Sequence, residues 1–448
     1  MERALDQRRD AVFLVATALA ACLAGAVLAE GERLGYGWQA AAGLLAAMAV
    51  GLAWADERIG LALFGLSFLG VFHGALRLKV GDLWIPPPAL IGGVLLTRVL
   101  VQGWSSSSWR RPPLPVASLF VLVTGLLASG LAALEAEPYA SSLVKWGGHI
   151  LVFAAVVTVF RKTSWIYNLT DGLSVVVAAF AVYGLYRVFT GASYYIDVFD
   201  DVATRAAASF YLTALLPLVY ARLLAASGFS RVARAALLVL LGIAQVFTYN
   251  RAGWIASTSG LLFVTGRRVR WYVLLVLAAV LLVAMVPEEV RNRFLSIFIV
   301  TDFGVASPFA SSTVGRGYLL RTGLHMVRSN WLLGVGLGNY LGHYYVYAVP
   351  GTPVAPHIPH NFYVYLWAEA GVVSLVGFLW FYGSRMRMLW QVRRRVSGTD
   401  RLTVVGFVAS FLAMAIEAGA EDDLNLILVW TLLGMGTALA HLVHREMS

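Results

Sequence analysis

"AALLVLLGIAQVFTYNRAGWIASTSGLLFVTG", Ala235 to Gly266, is two apolar runs joined at a single charge, Arg251, with almost no loop between them. Runs of about 15 to 23 apolar residues recur from Ala11 to Leu442, each near the roughly 20 residues that cross about 30 Å of hydrocarbon as a helix. The strand-period alternation of a membrane barrel is absent. The expected fold is therefore all-α, a polytopic membrane bundle of about 12 to 14 transmembrane helices. Composition agrees, with 59% hydrophobic and 13% charged residues and a mean hydropathy of +0.75.

The first run, Ala11 to Ala29, follows "MERALDQRRD" and reads as a retained signal anchor. Cys22 is the one cysteine, so no disulfide forms within the chain. The formal charge of +10 would suggest nucleic acid on a soluble protein. Here it sorts by loop: Arg8 and Arg9, Arg110 and Arg111, Arg161 and Lys162, Arg267 to Arg270, and Arg393 to Arg395 fall on one side of the expected spans. Short cytoplasmic loops collect such residues, which places both termini in the cytoplasm. Most acids, Glu30, Glu32, Asp82, Glu135 and Glu421 to Asp423 among them, fall on the other side. Glu30 and Glu32 read as solvated, and the Glu421 to Asp423 run as a translocated turn.

One outer loop dominates, and the chain divides accordingly into an N-terminal bundle (1–286), an outer loop with catalytic and substrate-binding elements (287–360), and C-terminal membrane helices (361–448). Within the loop, Arg321, His325 and Arg328 fall at helical spacing beside Leu320, Leu324, Val327 and Trp331, predicting a cationic amphipathic helix at the membrane boundary. "GVGLGN", Gly334 to Asn339, imitates a dinucleotide fingerprint but follows no strand of a βαβ unit, so it reads as a tight turn and no nucleotide is expected. His325, His343 and His357 lack the spacing of a zinc site, and no metal or other cofactor is expected.

Arg251 is costly near a bilayer unless it pairs or faces water. With Arg205, Arg316 and Arg321 on the same outer side, it reads as one of several arginines lining a cavity for a concentrated anion carried on a lipid. The planar fork of arginine suits phosphate oxygens. His360 follows Pro353, Pro356 and Pro359, which hold the approach extended and mark a helix start that Asn361 can cap. At a helix N-terminus the positive end of the dipole favours a neutral imidazole, able to accept a proton. Glu369 lies about 13 Å farther along that helix, too deep to share the site directly, and should pair with a basic or polar group inside the bundle.

"HNFYVYLWAEAGVVS" from His360, "VGRGYLLRTGLHMVRSNWLLGVGLGNY" from Val314, "FTYNRAGWIA" from Phe247 and "RAAASFYLTALLPL" from Arg205 together resemble the O-antigen ligase and polymerase superfamily. Asn330-Trp331 stand where that family has a proline, Asn250 where serine is common, and Ala207-Ala208 where a glycine is usual. The resemblance implies a metal-independent, inverting glycosyltransferase in the bacterial inner membrane with a periplasmic site. It would move O-antigen from undecaprenyl pyrophosphate to lipid A-core oligosaccharide. His360 would be the general base, Arg251 and Arg316, with Arg321 and Arg205, would bind the donor pyrophosphate, and Asn361, Arg328 and Glu369 could support them. A polymerase or a protein O-oligosaccharyltransferase of the same superfamily is the alternative, and a lipid-linked glycan transporter the alternative from another class.

Overall fold

The computed structural model describes residues 51–54, 56–68, 78–80, 83–85, 87–104, 114–193, 195–196, 205–266, 308–351 and 356–447. The expected first span, Ala11 to Ala29, lies outside them. In chain order the elements are α1 (Glu57–Ser67), a β1–β2 hairpin (Leu78–Val80 with Leu83–Ile85), α2 (Pro87–Trp104) and α3 (Val116–Ala128), which ends in a 3-10 turn. Then come α4 (Ala136–Val159), α5 (Thr163–Phe189), α6 (Arg205–Leu224), α7 (Gly228–Phe247) and α8 (Arg251–Thr265). The last are α9 (Pro308–Ser329), α10 (Tyr340–Tyr347), α11 (Phe362–Val392), α12 (Gly398–Glu417) and α13 (Ile427–Met447). The chain is an all-α polytopic membrane bundle, and the hairpin is a minor addition to it.

Among the described residues, 7 helices are long and apolar enough to cross a membrane, with α2 and α3 shorter apolar helices. α6 and α13 are the most enclosed, each about 89% buried over its apolar window, and the peripheral α7 is the least at 17%. Trp430 of α13 is fully buried among Trp146, Phe378 and Phe381, edge and stacked geometries that pack aromatic rings densely. α8, with 15 residues, reaches about 22 Å and falls short of a full span. α4 begins at Ala136, and its polar first turns are tied to Asn339, which accepts from the Glu135 N–H at 2.7 Å and donates to the Glu135 carbonyl at 3.2 Å.

The helix expected around Arg321 to Arg328 is present as α9, but its apolar side differs from the expected one. Leu319, Thr322, Met326 and Val327 are buried, whereas Leu324 and Trp331 are 45% and 56% exposed. The buried set packs on α11, where Gly323 lies close to Val364 and Pro359. The helix is thus a structural layer over the start of α11, and the covering face follows that contact instead of the hydrophobic stripe read from spacing alone.

Candidate active site

Six element ends meet at one end of the bundle: the starts of α6, α8, α11 and α13 and the ends of α7 and α12. His360 stands there in the left-handed region, φ +49°, a conformation that costs a non-glycine residue of order 1–3 kcal/mol and persists when its surroundings over-determine it. They do so through the α12–α13 turn. Asn361 caps α11, accepting from the Val364 N–H at 3.0 Å, and donates its amide to the Gly419 carbonyl at 2.8 Å. The Phe362 N–H donates to the carbonyls of Ala418 and Glu421 at 2.9 and 3.0 Å. The expectation that Asn361 caps the helix holds, and the capping pair is bolted to the turn opposite.

Glu421 lies at the centre of that turn. Its side chain is 1% exposed, with Oε2 facing His360 Nδ1 at 3.2 Å and Oε1 accepting from Arg316 Nη2 at 2.7 Å. Arg316 also donates from Nη1 to the Ala420 carbonyl at 3.2 Å. Burial pushes the Glu421 pKa up, but the His360 hydrogen bond and the Arg316 charge outweigh it, so the value lies below the ordinary carboxylate range. An ionised carboxylate only accepts, so the His360 Nδ1–H is the donor and Nε2 is the ring nitrogen that the Glu421 contact leaves over. His360 and Arg316 remain 27% and 28% exposed. The site therefore offers a proton acceptor and a guanidinium on one carboxylate, open at the rim.

The loop over this corner depends on a break in α11. Gly371 has φ +74° and ψ 175°, and a Cβ there would sit 2.0 Å from the Leu332 carbonyl oxygen. The break frees backbone groups that the Trp331–Gly336 turn then satisfies. Val335 and Gly336 N–H donate to the Ala368 and Glu369 carbonyls at 2.8 and 3.0 Å, and Val372 N–H donates to the Trp331 carbonyl at 3.0 Å. Gly334, at φ +71°, would place a Cβ 2.3 Å from the Glu369 carbonyl. The "GVGLGN" segment is thus a turn, as expected, and its glycines also allow backbone to lie on backbone. Glu369 is buried beneath it and accepts from the Tyr340 N–H at 3.2 Å, fixing the first turn of α10. That is the polar partner expected for it, away from His360.

The other arginines divide. Arg251 is the first residue of α8, whose cap Asn250 accepts from the Ala252 N–H at 3.1 Å. Arg205 is the first residue of α6, and α6 and α8 both begin at this end. Arg321 is exposed and lies over the Tyr318 ring, 5.8 Å from its centroid. Arg328 is about 18 Å along α9 from Arg316. Arg316, His360 and Asn361 of the expected residues join the Glu421 turn directly.

Residues 236–379, which carry Asn250, Arg251, Arg316, the glycine loop, His360 and Gly371, match the family model described as O-antigen ligase. Over this segment, about a third of its length, the chain is similar to the O-antigen ligase family. No curated protein matches the chain. The match points to a glycosyltransferase-like ligase activity, and the matched segment stops short of Glu417 and Glu421. Sequence reading missed both of these acids. The available signal was Glu417 itself, an ionisable residue at the end of an apolar run and one helical turn before Glu421.

Proposed function

We propose that the chain is an O-antigen ligase that transfers glycan from undecaprenyl pyrophosphate to lipid A-core oligosaccharide on the periplasmic face of the inner membrane, with both termini cytoplasmic. The observation that carries the reading is the buried Glu421 carboxylate between His360 Nδ1 and Arg316. His360 Nε2 takes the proton of the acceptor hydroxyl as the hydroxyl oxygen attacks the anomeric carbon. The bond from that carbon to the pyrophosphate oxygen breaks, and its electron pair leaves with the pyrophosphate. Attack opposite the leaving group inverts the anomeric centre. Glu421 holds the ring in its tautomer and stabilises the imidazolium that forms, the role a buried carboxylate plays beside a catalytic histidine.

Arg251 and Arg316 neutralise the charge that develops on the pyrophosphate. Guanidinium has five N–H donors, so the contacts of Arg316 to Glu421 and Ala420 leave others for the substrate. Arg205 lies at the same end and is a further candidate for the donor phosphates; Arg321 and Arg328, farther along α9, are candidates for the more distant glycan. In this scheme the bundle of 1–286 and the helices of 361–448 enclose the lipid, and the loop of 287–360 covers the reacting groups. The concentration of Arg161, Arg222, Arg234 and Arg393 to Arg395 at the opposite end of the bundle supports a cytoplasmic location for that end.

His360→Ala tests the reading. Purified variant and wild type receive lipid-linked glycan with and without lipid A-core, and the products are resolved by gel. Transfer to lipid A-core should fall by about 10²- to 10⁴-fold while the thermal midpoint stays near that of wild type. Full transfer by the variant removes the base. Elongation of lipid-linked glycan without lipid A-core replaces the ligase by a polymerase, and donor left unchanged under every condition replaces it by a transporter or a different acceptor.

A further inference from the structure

A second buried acid, Glu417, has no part in the chemistry just described. It closes α12 at 0% exposure, inside a membrane bundle where an ionisable side chain is expensive and marks function by default. Its Oε1 accepts from Ser209 Oγ at 2.7 Å and from Asn250 Nδ2 at 3.1 Å, while Oε2 has no hydrogen-bond partner. Gln245, also buried, donates to Ser209 Oγ at 3.0 Å and to Thr213 Oγ1 at 3.2 Å. Ser209 of α6 and Asn250, the cap of α8, thus converge on one carboxylate oxygen, and Gln245 of α7 reaches it through Ser209.

Gly253 makes room for the convergence. A Cβ there would stand 1.9 Å from Ser209 Oγ, 2.4 Å from Gln245 Nε2 and 2.8 Å from Glu417 Oε1. The cluster is therefore seated against the first turn of α8, the turn that begins with Arg251. Asn250 is the shared piece: its oxygen caps that turn and its amide donates to Glu417. On the other side of Glu417 the chain runs straight into the 418–421 turn, whose carbonyls receive Phe362, Asn361 and Arg316 and whose carboxylate receives His360.

We propose that Glu417 is a positioning residue that fixes the Asn250 cap, and with it the start of the Arg251 helix, relative to the turn that carries Glu421. One buried carboxylate then sets the distance between the pyrophosphate-binding arginine and the base. The inference rests on the donor role proposed for Arg251. Glutamine offers the same accepting oxygen to Ser209 and Asn250, so Glu417→Gln should retain the register that Glu417→Ala loses.

The test uses the full chain, purified in detergent, with lipid-linked glycan titrated at saturating lipid A-core. E417A, E417Q, N250A, R251A and the E417A/N250A pair are compared, each with its thermal midpoint. The expected result is a donor KM raised about tenfold in E417A and N250A, no further rise in the pair because one contact has been removed twice, and recovery of most of the loss in E417Q. If E417A does not accumulate, Asn250→Ser serves in its place, since serine caps α8 but is too short to reach Glu417. A merely structural Glu417 would reduce the amount of active enzyme and leave the donor KM of the survivors unchanged, which overturns the inference. Independent, multiplying effects in the pair, or an E417Q as impaired as E417A, overturn it too. A normal donor KM in R251A overturns the parent reading and this inference with it, whereas a raised KM in R251A beside a normal one in E417A overturns this inference alone.

Discussion

Two acids at opposite ends of the bundle each hold a pair of basic side chains, and they differ in what is left over. Asp171 of α5 meets Arg222 at 2.9 Å and Arg234 at 2.6 Å, with side chains 14%, 9% and 18% exposed. Arg222 also stacks on Tyr167, 4.6 Å from its ring centroid, and the Tyr167 hydroxyl donates to Asp400. Glu421 meets one guanidinium and one imidazole, and both partners are more than a quarter exposed. Two guanidiniums stay charged at any physiological pH, so the Asp171 cluster joins α5, α6 and α7 and has no proton to exchange. Replacing one guanidinium by an imidazole turns the same arrangement into one that can take up and release a proton.

That contrast can be broken by exchanging consequences between the two ends. After His360→Ala, the largest loss of activity is expected from Glu421→Gln, which keeps the shape but removes the charge that orients the ring. The kcat should fall on the order of 10²-fold or more with folding largely kept, and an unchanged kcat would put Glu421 on the same structural footing as Asp171. Asp171→Ala should do the reverse. It strands buried Arg222 and should cost about 3 to 5 kcal/mol of stability, as removing one partner of a buried pair does, while the turnover of the remaining folded enzyme stays within about twofold of wild type. A collapse of turnover without loss of stability would show that the far end is part of the catalytic machinery.

Two smaller effects sharpen the picture at the His360 end. Gly371→Ala forces a side chain into a left-handed position against the Leu332 carbonyl and should destabilise by more than about 1 kcal/mol, with the loss read as faster proteolysis within the 330–339 turn. Acid titration should be milder. Because the folded pKa of Glu421 is depressed, its stabilisation is complete above the unfolded glutamate value of about 4.3 and is lost as pH falls through the folded value. The difference in thermal midpoint between wild type and Glu421→Gln should therefore shrink below about pH 4. A difference that persists unchanged into acid would mean that charge on Glu421 contributes nothing to folding.

Much of the site was legible because its signals are local. Three prolines and an Asn placed the start of α11, where Asn361 caps through Val364 only three residues on. The glycines of Gly334 to Asn339 read as a turn. Arg251 stood out as a charge between two apolar runs. The face that α9 buries was misjudged because a spacing argument ranks residues by hydrophobicity, whereas Gly323 is covered by Val364 of α11 and Thr322 accepts from the Val349 N–H. Glu421 was overlooked because three consecutive acids in a short turn look like any solvated connection.

Hydropathy over some twenty residues is a property of the segment itself, and so the sequence alone determined that this chain threads a membrane as helices, where α11 starts, and that arginines and a histidine gather outside the apolar runs. The pairing of those groups was a tertiary matter. His360 and Arg316 reach Glu421 from 61 and 105 residues away, and Asn250 reaches Glu417 from 167. No local preference encodes such distances, because they are set by which helices pack beside α12 and by the backbone breaks at Gly371 and His360 that let the loops between them close.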